Sequence, residues 1–254
     1  ATLTLVPQAS AAQTEVLYEE NFDGATIESL QAAGWKGLTQ YDMLNGALRG
    51  KNNNAYYADT AAYNWDSYVY ETKMTIATKN ASNAVNGYFG IQFGVNSSGK
   101  GMEYGIHYTY NPATPATQSF TYRVYDRINA KFIINETSLQ GKGLAMDQEM
   151  TLKVAVDGNT FTVYLNGTAL ATKTLDYTFG GTIGTLMSAN TVYLLFDDLK
   201  VTKEAEEQAD PDEPIPNSKT LLFDSFNQSN GDFIPEANTW TKAGSVEYLD
   251  GKLH

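Results

Sequence analysis

The sequence predicts an all-β protein: a two-sheet antiparallel sandwich with one short surface helix. Three observations predict this fold. Runs of β-branched and aromatic residues with alternating polarity recur along the chain, and Gly, Asn or Pro separates them. No helical segments alternate with these runs in the rhythm of a parallel sheet, so the strands are expected to pack as two antiparallel layers.

The predicted strands cover residues 68–78, 86–95, 101–110, 118–126, 150–156, 160–166 and 191–202. Asn166-Gly167 suits the positive-φ positions of a type I′ hairpin turn. Only residues 26–35 have a helical pattern, with Thr26 as the N-cap and Gly34 just beyond the C-terminus. These signals place a short surface helix between the first two strands.

Composition excludes several classes of function. The 254 residues carry a formal net charge of −12 and no cysteine. Nucleic acids and anionic membranes need a basic surface, so neither is an expected partner. Without cysteine there is no disulfide framework, thiolate zinc site or cysteine nucleophile. No run of about 18 apolar residues occurs, so the sequence predicts no membrane insertion.

The chain is predicted to have four parts. Residues 1–14 resemble the end of a secretory signal peptide, with Ala9-Ser10-Ala11 as a small-residue cleavage site, although a polar leader is the alternative. Residues 15–203 form one complete β domain. Residues 204–218 contain six acidic residues, three prolines and no basic residue, which is typical of a stiff, solvated linker.

Residues 219–254 are predicted to be the N-terminal fragment of a second, similar domain. Phe22, Trp35 and Leu48 are spaced by 13 and 13 residues, and Phe226, Trp240 and Leu253 follow in the same order with spacings of 14 and 13. Landmarks that recur in order indicate an internal repeat. The protein is therefore expected to be a monomeric module within a longer, multimodular chain.

The order of these motifs resembles the concanavalin A-like lectin and glucanase superfamily of jelly rolls. The resemblance rests on "NFDG", a helix, Gly-Trp and "NGAL", followed by "YVYETKM", "YFGIQFG", "MEYGIHY", the "VDGNTFTVYLNG" hairpin and "FDDLKV". It is closest to the laminin-G-like and levan-binding type modules of secreted bacterial proteins. The resemblance implies a jelly-roll sandwich and, since most members bind carbohydrate and some cleave it, a glycan or polysaccharide partner.

Catalysis is not predicted for this domain. Glucanases of this superfamily carry Glu-x-Asp-x-x-Glu or Glu-x-Asp-x-Glu on one strand, which puts two carboxylates on the same face. No such string occurs, and Glu71 and Glu103 are solitary in their strands. A Gly-x-Ser-x-Gly elbow and a His-Glu-x-x-His motif are also lacking.

Alternation predicts a binding face instead. Apolar residues such as Phe89, Ile91 and Phe93 occupy one parity, and polar or aromatic residues occupy the other. If residues 68–78, 86–95, 101–110 and 118–126 are neighbouring strands, one face carries Glu71, Lys73, Tyr88, Gln92, Glu103, His107, Arg123 and Tyr125. Planar hydrogen-bonding groups mixed with rings suit sugar recognition, and neutral polyols in particular. A solvated sheet face without a ligand has a similar composition, so that alternative stays open.

No cofactor is required by these motifs. Asp197 and Asp198 could join Glu20 in a structural calcium site, since hard oxygen ligands suit that ion. The alternative is that the two aspartates stabilise a β-bulge.

The sequence therefore predicts a secreted or cell-surface, non-catalytic carbohydrate-binding module. A structural spacer or adhesin module without a sugar site is one alternative. An accessory domain of a glycoside hydrolase, whose catalytic part lies outside these residues, is the other.

Overall fold

The computed structural model describes residues 14–50, 53–78, 84–114, 118–188, 192–204, 231–232, 247–249 and 252–253. The predicted leader at 1–14 and linker at 204–218 lie outside these ranges except at Thr14 and Glu204, and so does most of 219–254. The chain divides into two compact units, Ala1–Glu207 and Gln208–His254, and each is described by itself.

The regular elements in the described part of the first unit are almost all strands. They are β1 (Thr14–Glu20), β2 (Trp35–Lys36), β3 (Tyr41–Leu44), β4 (Ala47–Gly50), β5 (Tyr56–Tyr57), β6 (Ser67–Thr78), β7 (Val85–Val95), β8 (Met102–Tyr110), β9 (Ser119–Asp126), β10 (Lys131–Ser138), β11 (Glu149–Asp157), β12 (Thr160–Leu165), β13 (Thr168–Thr174), β14 (Thr182–Met187) and β15 (Val192–Glu204). One α-helix, α1 (Ile27–Ala32), and two 3₁₀ helices, Leu38–Gln40 and Ala62–Asn64, complete the described part.

These strands form two antiparallel sheets, which confirms the predicted fold class. Sheet I has the order β13-β12-β11-β6-β15-β4-β3, and β1 pairs with the later part of β15. Sheet II has the order β10-β9-β8-β7-β14-β5-β2. The chain passes between the two sheets at β1–β2, β2–β3, β4–β5, β5–β6, β6–β7, β10–β11, β13–β14 and β14–β15, as expected for a jelly-roll sandwich.

The core lies between the inner faces of the two sheets. Phe89, Ile106 and Val124, on three neighbouring strands of sheet II, are completely buried. Across the interface the rings of Phe93 in sheet II and Phe161 in sheet I lie 5.2 Å apart between centroids. Burying such a side chain contributes about 1.5–3 kcal/mol, so the alternating apolar positions stabilise the packing of the two layers.

Local signals in the sequence have the predicted effects. The Thr26 side chain accepts a hydrogen bond from the Ser29 backbone N–H, and Ser29 reciprocates in a capping box that starts α1. Gly34, just beyond the helix, has a positive φ of 106°. Asn166 and Gly167 have φ values of 48° and 76°, as a type I′ turn between β12 and β13 requires.

The second unit contains a three-stranded sheet of β16 (Gly231–Asp232), β17 (Glu247–Leu249) and β18 (Lys252–Leu253). In its terminal hairpin Leu249 pairs with Lys252. In the β3–β4 hairpin of the first unit Leu44 pairs with Ala47. In each case two residues separate the paired positions, so the two hairpins have the same register.

Candidate functional site

Six of the eight predicted ligand-binding residues lie on one surface, the face of sheet II that points away from the core. Strands β7, β8 and β9 are neighbours there, and their register pairs Tyr88 with His107, Gln92 with Glu103 and Glu103 with Tyr125. We call this surface the outer face of sheet II. Its six predicted members are Tyr88, Gln92, Glu103, His107, Arg123 and Tyr125.

Glu71 and Lys73 do not share this face, and their predicted position beside the other six is wrong. Both lie on β6, whose neighbours are β11 and β15 in sheet I. Alternation determines which side of its own strand a residue occupies, but it carries no information on which strands become neighbours. The chain crosses from sheet I to sheet II between β6 and β7, so the two strands do not form a hairpin.

Glu71 and Lys73 instead line a polar groove of about 240 Å³ on sheet I, together with Glu19, Asp198 and Lys200. Lys73 Nζ lies 2.7 Å from an Asp198 carboxylate oxygen, and this contact raises the pKa of Lys73. Lys200 Nζ lies 3.4 Å from Glu19 Oε1. Both lysines of the groove are therefore paired within the protein.

Asp197 and Asp198 lie at a β-bulge, where the pairing of β15 with β6 shifts register between Asp197 and Lys200. Asp197 Oδ1 accepts a 2.8 Å hydrogen bond from the Asp198 backbone N–H, and Asp198 has a φ of 45°. Glu20 Oε1 accepts from the Phe22 backbone N–H at 2.8 Å. Among the described residues no group of three or more His, Asp or Glu side chains is arranged to hold a metal ion, and bound calcium stays a prediction.

Two glycines form the middle of the outer face of sheet II. Gly90 pairs with Gly105, and Gly105 pairs with Arg123 on the next strand. A Cβ at Gly90 would lie 2.1 Å from the Tyr104 backbone oxygen, so only glycine allows the strands to approach this closely. The absence of a side chain at Gly105 leaves a path across β8, part of which Leu186 fills: a Cβ at Gly105 would lie 2.9 Å from Leu186 Cδ2.

Arg123 crosses that path and packs on Tyr88. Its guanidinium carbon lies 3.3 Å from the Tyr88 ring centroid. The His107 ring stacks on the same tyrosine at 4.3 Å and an interplanar angle of 22°. Two groups at these distances cannot occupy one ring face without overlap, so both faces of Tyr88 are covered. Tyr88 therefore offers no ring face to a ligand.

Glu136 on β10 links the residues at this end of the face. Its carboxylate accepts hydrogen bonds from the Tyr88 hydroxyl and, at 3.2 Å, from Thr121 Oγ1. His107 Nδ1 lies 3.0 Å from the same carboxylate, and His107 Nε2 lies 2.8 Å from Asn86 Oδ1. These partners favour the charged form and lower the pKa of Glu136, the Tyr88 hydroxyl most strongly. The carboxylate is thus already supplied with donors.

Glu103 occupies the other end of the face and is almost completely buried. Three donors converge on its Oε1 at 3.4 Å each: Asn54 Nδ2, Gln92 Nε2 and Arg127 Nη1. Burial raises the pKa of Glu103, and the positive charges of Arg127 and Arg123 oppose that shift. Gln92 Oε1 and Arg123 Nε are buried polar atoms without a hydrogen-bond partner.

An aromatic pair borders this buried cluster. Tyr125 and Phe132 are cross-strand partners whose rings meet edge to face at 5.1 Å. Phe132 is 50% exposed, which is unusual for a phenylalanine on a sheet face. The Arg123 guanidinium carbon lies 5.7 Å from the Tyr125 centroid and 5.5 Å from that of Phe132. Unlike Tyr88, Phe132 presents an accessible ring beside charged groups.

Sequence reasoning missed Phe132, Glu136, Asn54 and Arg127. The first two lie on β10, which the sequence analysis did not predict as a strand. Register shifts between Phe132 and Ile134, and again between Ile134 and Thr137, interrupt its pairing with β9. As a result Ile134 is buried, whereas Phe132 and Glu136, of the same parity, contact groups on the outer face. Asn54 and Arg127 lie in loops, where side chains do not alternate between two faces, so the polarity pattern could not predict their position.

No family model matches the sequence, and no curated protein matches it. Several solved structures share the fold. An endo-β-1,3-glucanase from Pyrococcus furiosus has a TM-score of 0.53 at 10% identity, covering 77% of this chain and 96% of that chain. SCLam, a non-specific endo-β-1,3(4)-glucanase from family GH16, has a TM-score of 0.51 at 10% identity, covering 79% and 95%.

A carbohydrate-binding module is similar to the same extent. The CBM2 module of the evolved Dit of Lactobacillus casei BL23 phage J-1 has a TM-score of 0.50 at 13% identity. The match covers 76% of this chain and 97% of that chain. Identities this low show a shared jelly-roll fold and nothing finer.

Proposed function

We propose that the first unit is a non-catalytic carbohydrate-binding module and that glycan binds on the outer face of sheet II. The observation that carries this proposal is the half-exposed Phe132 ring beside Tyr125 and Arg123 on one face. The C–H face of a sugar ring packs on an aromatic ring, and its hydroxyls bond to planar donors and acceptors.

Each group has a distinct role in this proposal. Phe132 supplies the packing surface, with Tyr125 fixing its orientation through the edge-to-face contact. Arg123 and Arg127 supply donors at the border of that surface. Tyr88 holds Arg123 in position from the far end, with His107 stacked on the other side of its ring, and does not stack on the sugar because that ring is already covered. Glu71 and Lys73 have no role because they lie on sheet I.

The spacing of carboxylates supports a binding role rather than hydrolysis. A glycosidase needs two carboxyl groups about 5–5.5 Å or about 6.5–9.5 Å apart. On the described part of this face the carboxylates are Glu103 and Glu136, and Glu136 bonds to His107. His107 therefore marks the position of the Glu136 carboxylate on the face. Glu103 lies four residues from His107 on β8, which separates their backbone positions by roughly 13 Å. Both carboxylates are also engaged by internal donors.

We further propose that the module is extracellular and belongs to a tandem array. The similar register of the β3–β4 and β17–β18 hairpins supports a second copy at 219–254. The acidic, proline-rich composition of 204–218 supports a stiff spacer between the copies. Within the described ranges no helix is long and apolar enough to cross a membrane.

The test is a screen of the full 254-residue chain on a glycan array, followed by titration of each hit. A single shallow site is expected to bind with a Kd between roughly micromolar and millimolar. Phe132→Ala should weaken binding about tenfold by removing the packing surface. Tyr164→Ala is the matched control, because Tyr164 is a half-buried ring under Lys153 on the outer face of sheet I.

Two results would count against the proposal. Equal affinity of the Phe132→Ala and Tyr164→Ala variants would remove the site from the outer face of sheet II. An array without any hit would favour the structural spacer or adhesin module instead.

A further inference from the structure

We propose that the glycan bound on the outer face of sheet II carries an anionic group, a carboxylate or a sulfate ester. Arg123 and Arg127 hold this group while the sugar ring packs on Phe132. This ligand assignment rests on the proposed function, and it departs from the neutral polyol that composition alone suggests.

The hydrogen-bonding groups of this face are unevenly paired. The two carboxylates are occupied: Glu136 accepts from Tyr88 and Thr121, and three donors lie 3.4 Å from Glu103 Oε1. Arg123 Nε and the Gln92 amide oxygen have no partner, and no ion pair among the described residues involves Arg123. Arg123 is therefore a charged group of this face that an anionic ligand can pair.

The cation–π contact does not satisfy the Arg123 guanidinium. The Tyr88 ring centroid lies 3.3 Å from the guanidinium carbon. The N–H bonds of a guanidinium point outward in its plane, so contact with a ring does not supply them with an anionic acceptor. A partly buried charge without a counterion costs free energy until one reaches it. The contact with Tyr88 therefore holds Arg123 in place without replacing an anionic partner.

The two arginines differ in their pairing. Arg127 is 52% exposed and lies 3.4 Å from Glu103, a long contact that leaves it able to turn toward a ligand. Arg123 acts on Glu103 without forming an ion pair with it among the described residues. An anion would therefore complete the pairing of Arg123 on a chain whose net charge is −12.

Guanidinium groups also have the geometry for this chemistry. Their parallel N–H bonds match the two oxygens of a carboxylate or sulfate, and such charge-assisted bonds are about twice as strong as neutral ones. A neutral hydroxyl offers only one acceptor position along that edge. The Phe132 ring, 5.5 Å from the Arg123 guanidinium carbon, places the sugar ring next to its own anionic substituent.

The experiment titrates the full chain with pairs of probes that differ in charge. The pairs are polygalacturonate and its fully methyl-esterified form, 3′-sialyllactose and lactose, and dextran sulfate and dextran. They distinguish a uronate, a sialic acid and a sulfate ester as the source of the anion. At low ionic strength the charged member of at least one pair should bind about tenfold or more tightly than its neutral partner. Added salt should reduce that preference.

Variants show whether the two arginines produce the preference. Arg123→Gln and Arg127→Gln should each remove most of the roughly tenfold preference, because each lowers affinity for the charged member more than affinity for its neutral partner. Arg123→Lys keeps the charge but loses the paired N–H geometry. This variant should therefore retain part of the preference for the charged member, more than Arg123→Gln retains. Lys153→Gln on sheet I is the matched control and should change neither affinity. Arg127 is exposed, so its variant tests the proposal even if Arg123→Gln disturbs folding.

Failures of the two proposals are distinguishable. Binding of neutral members with equal or greater affinity than charged members in every pair would overturn the anionic assignment and leave the carbohydrate-binding function intact. Charge preference that survives both arginine variants would also overturn it. Absence of binding to every glycan, charged or neutral, would overturn both.

Discussion

Raising the pH above 10 is expected to unfold this protein, because its core holds several tyrosines in the neutral form. Tyr41, Tyr68, Tyr70 and Tyr104 are buried, and burial raises the pKa of each hydroxyl above its ordinary value. The hydroxyls of Tyr70 and Tyr104 donate to the backbone oxygens of Gly184 and Tyr164 at 3.2 and 3.1 Å. A phenolate could not donate and would face the carbonyl oxygen with like charge.

The magnitude follows from the difference between the two states. In the unfolded chain a tyrosine ionises near pH 10, whereas these four stay protonated in the native state. The native state then retains protons that the unfolded state loses, so stability is intact below about pH 10 and falls as the pH rises. Each tyrosine lowers the free energy of unfolding by about 1.4 kcal/mol at pH 11, and the four together by roughly 6 kcal/mol. Since a typical domain has about 5–15 kcal/mol in total, unfolding is expected between about pH 11 and 12.

The assay follows tyrosinate absorbance and far-ultraviolet circular dichroism on the same sample during an alkaline titration. Exposed tyrosines should ionise first with the dichroism unchanged, and the buried ones should ionise together with its loss. The same titration in strong denaturant, where all 17 tyrosines are solvated, is the control. Ionisation of every tyrosine near pH 10 with native dichroism throughout would refute the reasoning from burial.

Two further predictions concern domain organisation and turn geometry. Residues 15–203, expressed alone, should fold because they contain both sheets, whereas 219–254 should not, since short hairpins bury too little apolar surface to offset chain entropy; slow amide hydrogen exchange in the isolated short fragment would contradict this. Asn45→Ala should lower the free energy of unfolding by about 1 kcal/mol because Asn45 has a φ of 52° in the β3–β4 turn, while Asn45→Gly should stay within a few tenths. Equal denaturation midpoints for the two Asn45 variants would rule out backbone strain as the cause.

Much of the fold could be predicted because its signals are local. Alternation placed Phe89, Ile106 and Val124 in the core, and all three are buried. Thr26 caps α1 and Asn166-Gly167 forms the predicted turn, since capping and positive φ depend on a few adjacent residues. The grouping of residues from β7, β8 and β9 on one face also followed, because those three strands are consecutive and pair in chain order.

The candidate site was only partly predictable. Glu71 and Lys73 have the correct outward parity but lie on sheet I, because β6 pairs with β11 and β15 from much later in the chain. Phe132 and Glu136 were missed because two irregularities in β10 break the period of two on which the prediction depends. The covering of Tyr88 by Arg123 and His107 depends on three strands at once.

The sequence by itself determined the class of fold, the direction in which each regular strand presents its side chains, and the turns that need special backbone angles. These properties depend on covalent geometry over a few residues, and a single chain segment contains all that is required to read them. Only the tertiary structure decided which strands are neighbours, where β10 departs from alternation, and that Phe132 rather than Tyr88 has an exposed ring. Those outcomes depend on the packing of two sheets against each other, where segments far apart in the chain compete for the same neighbours.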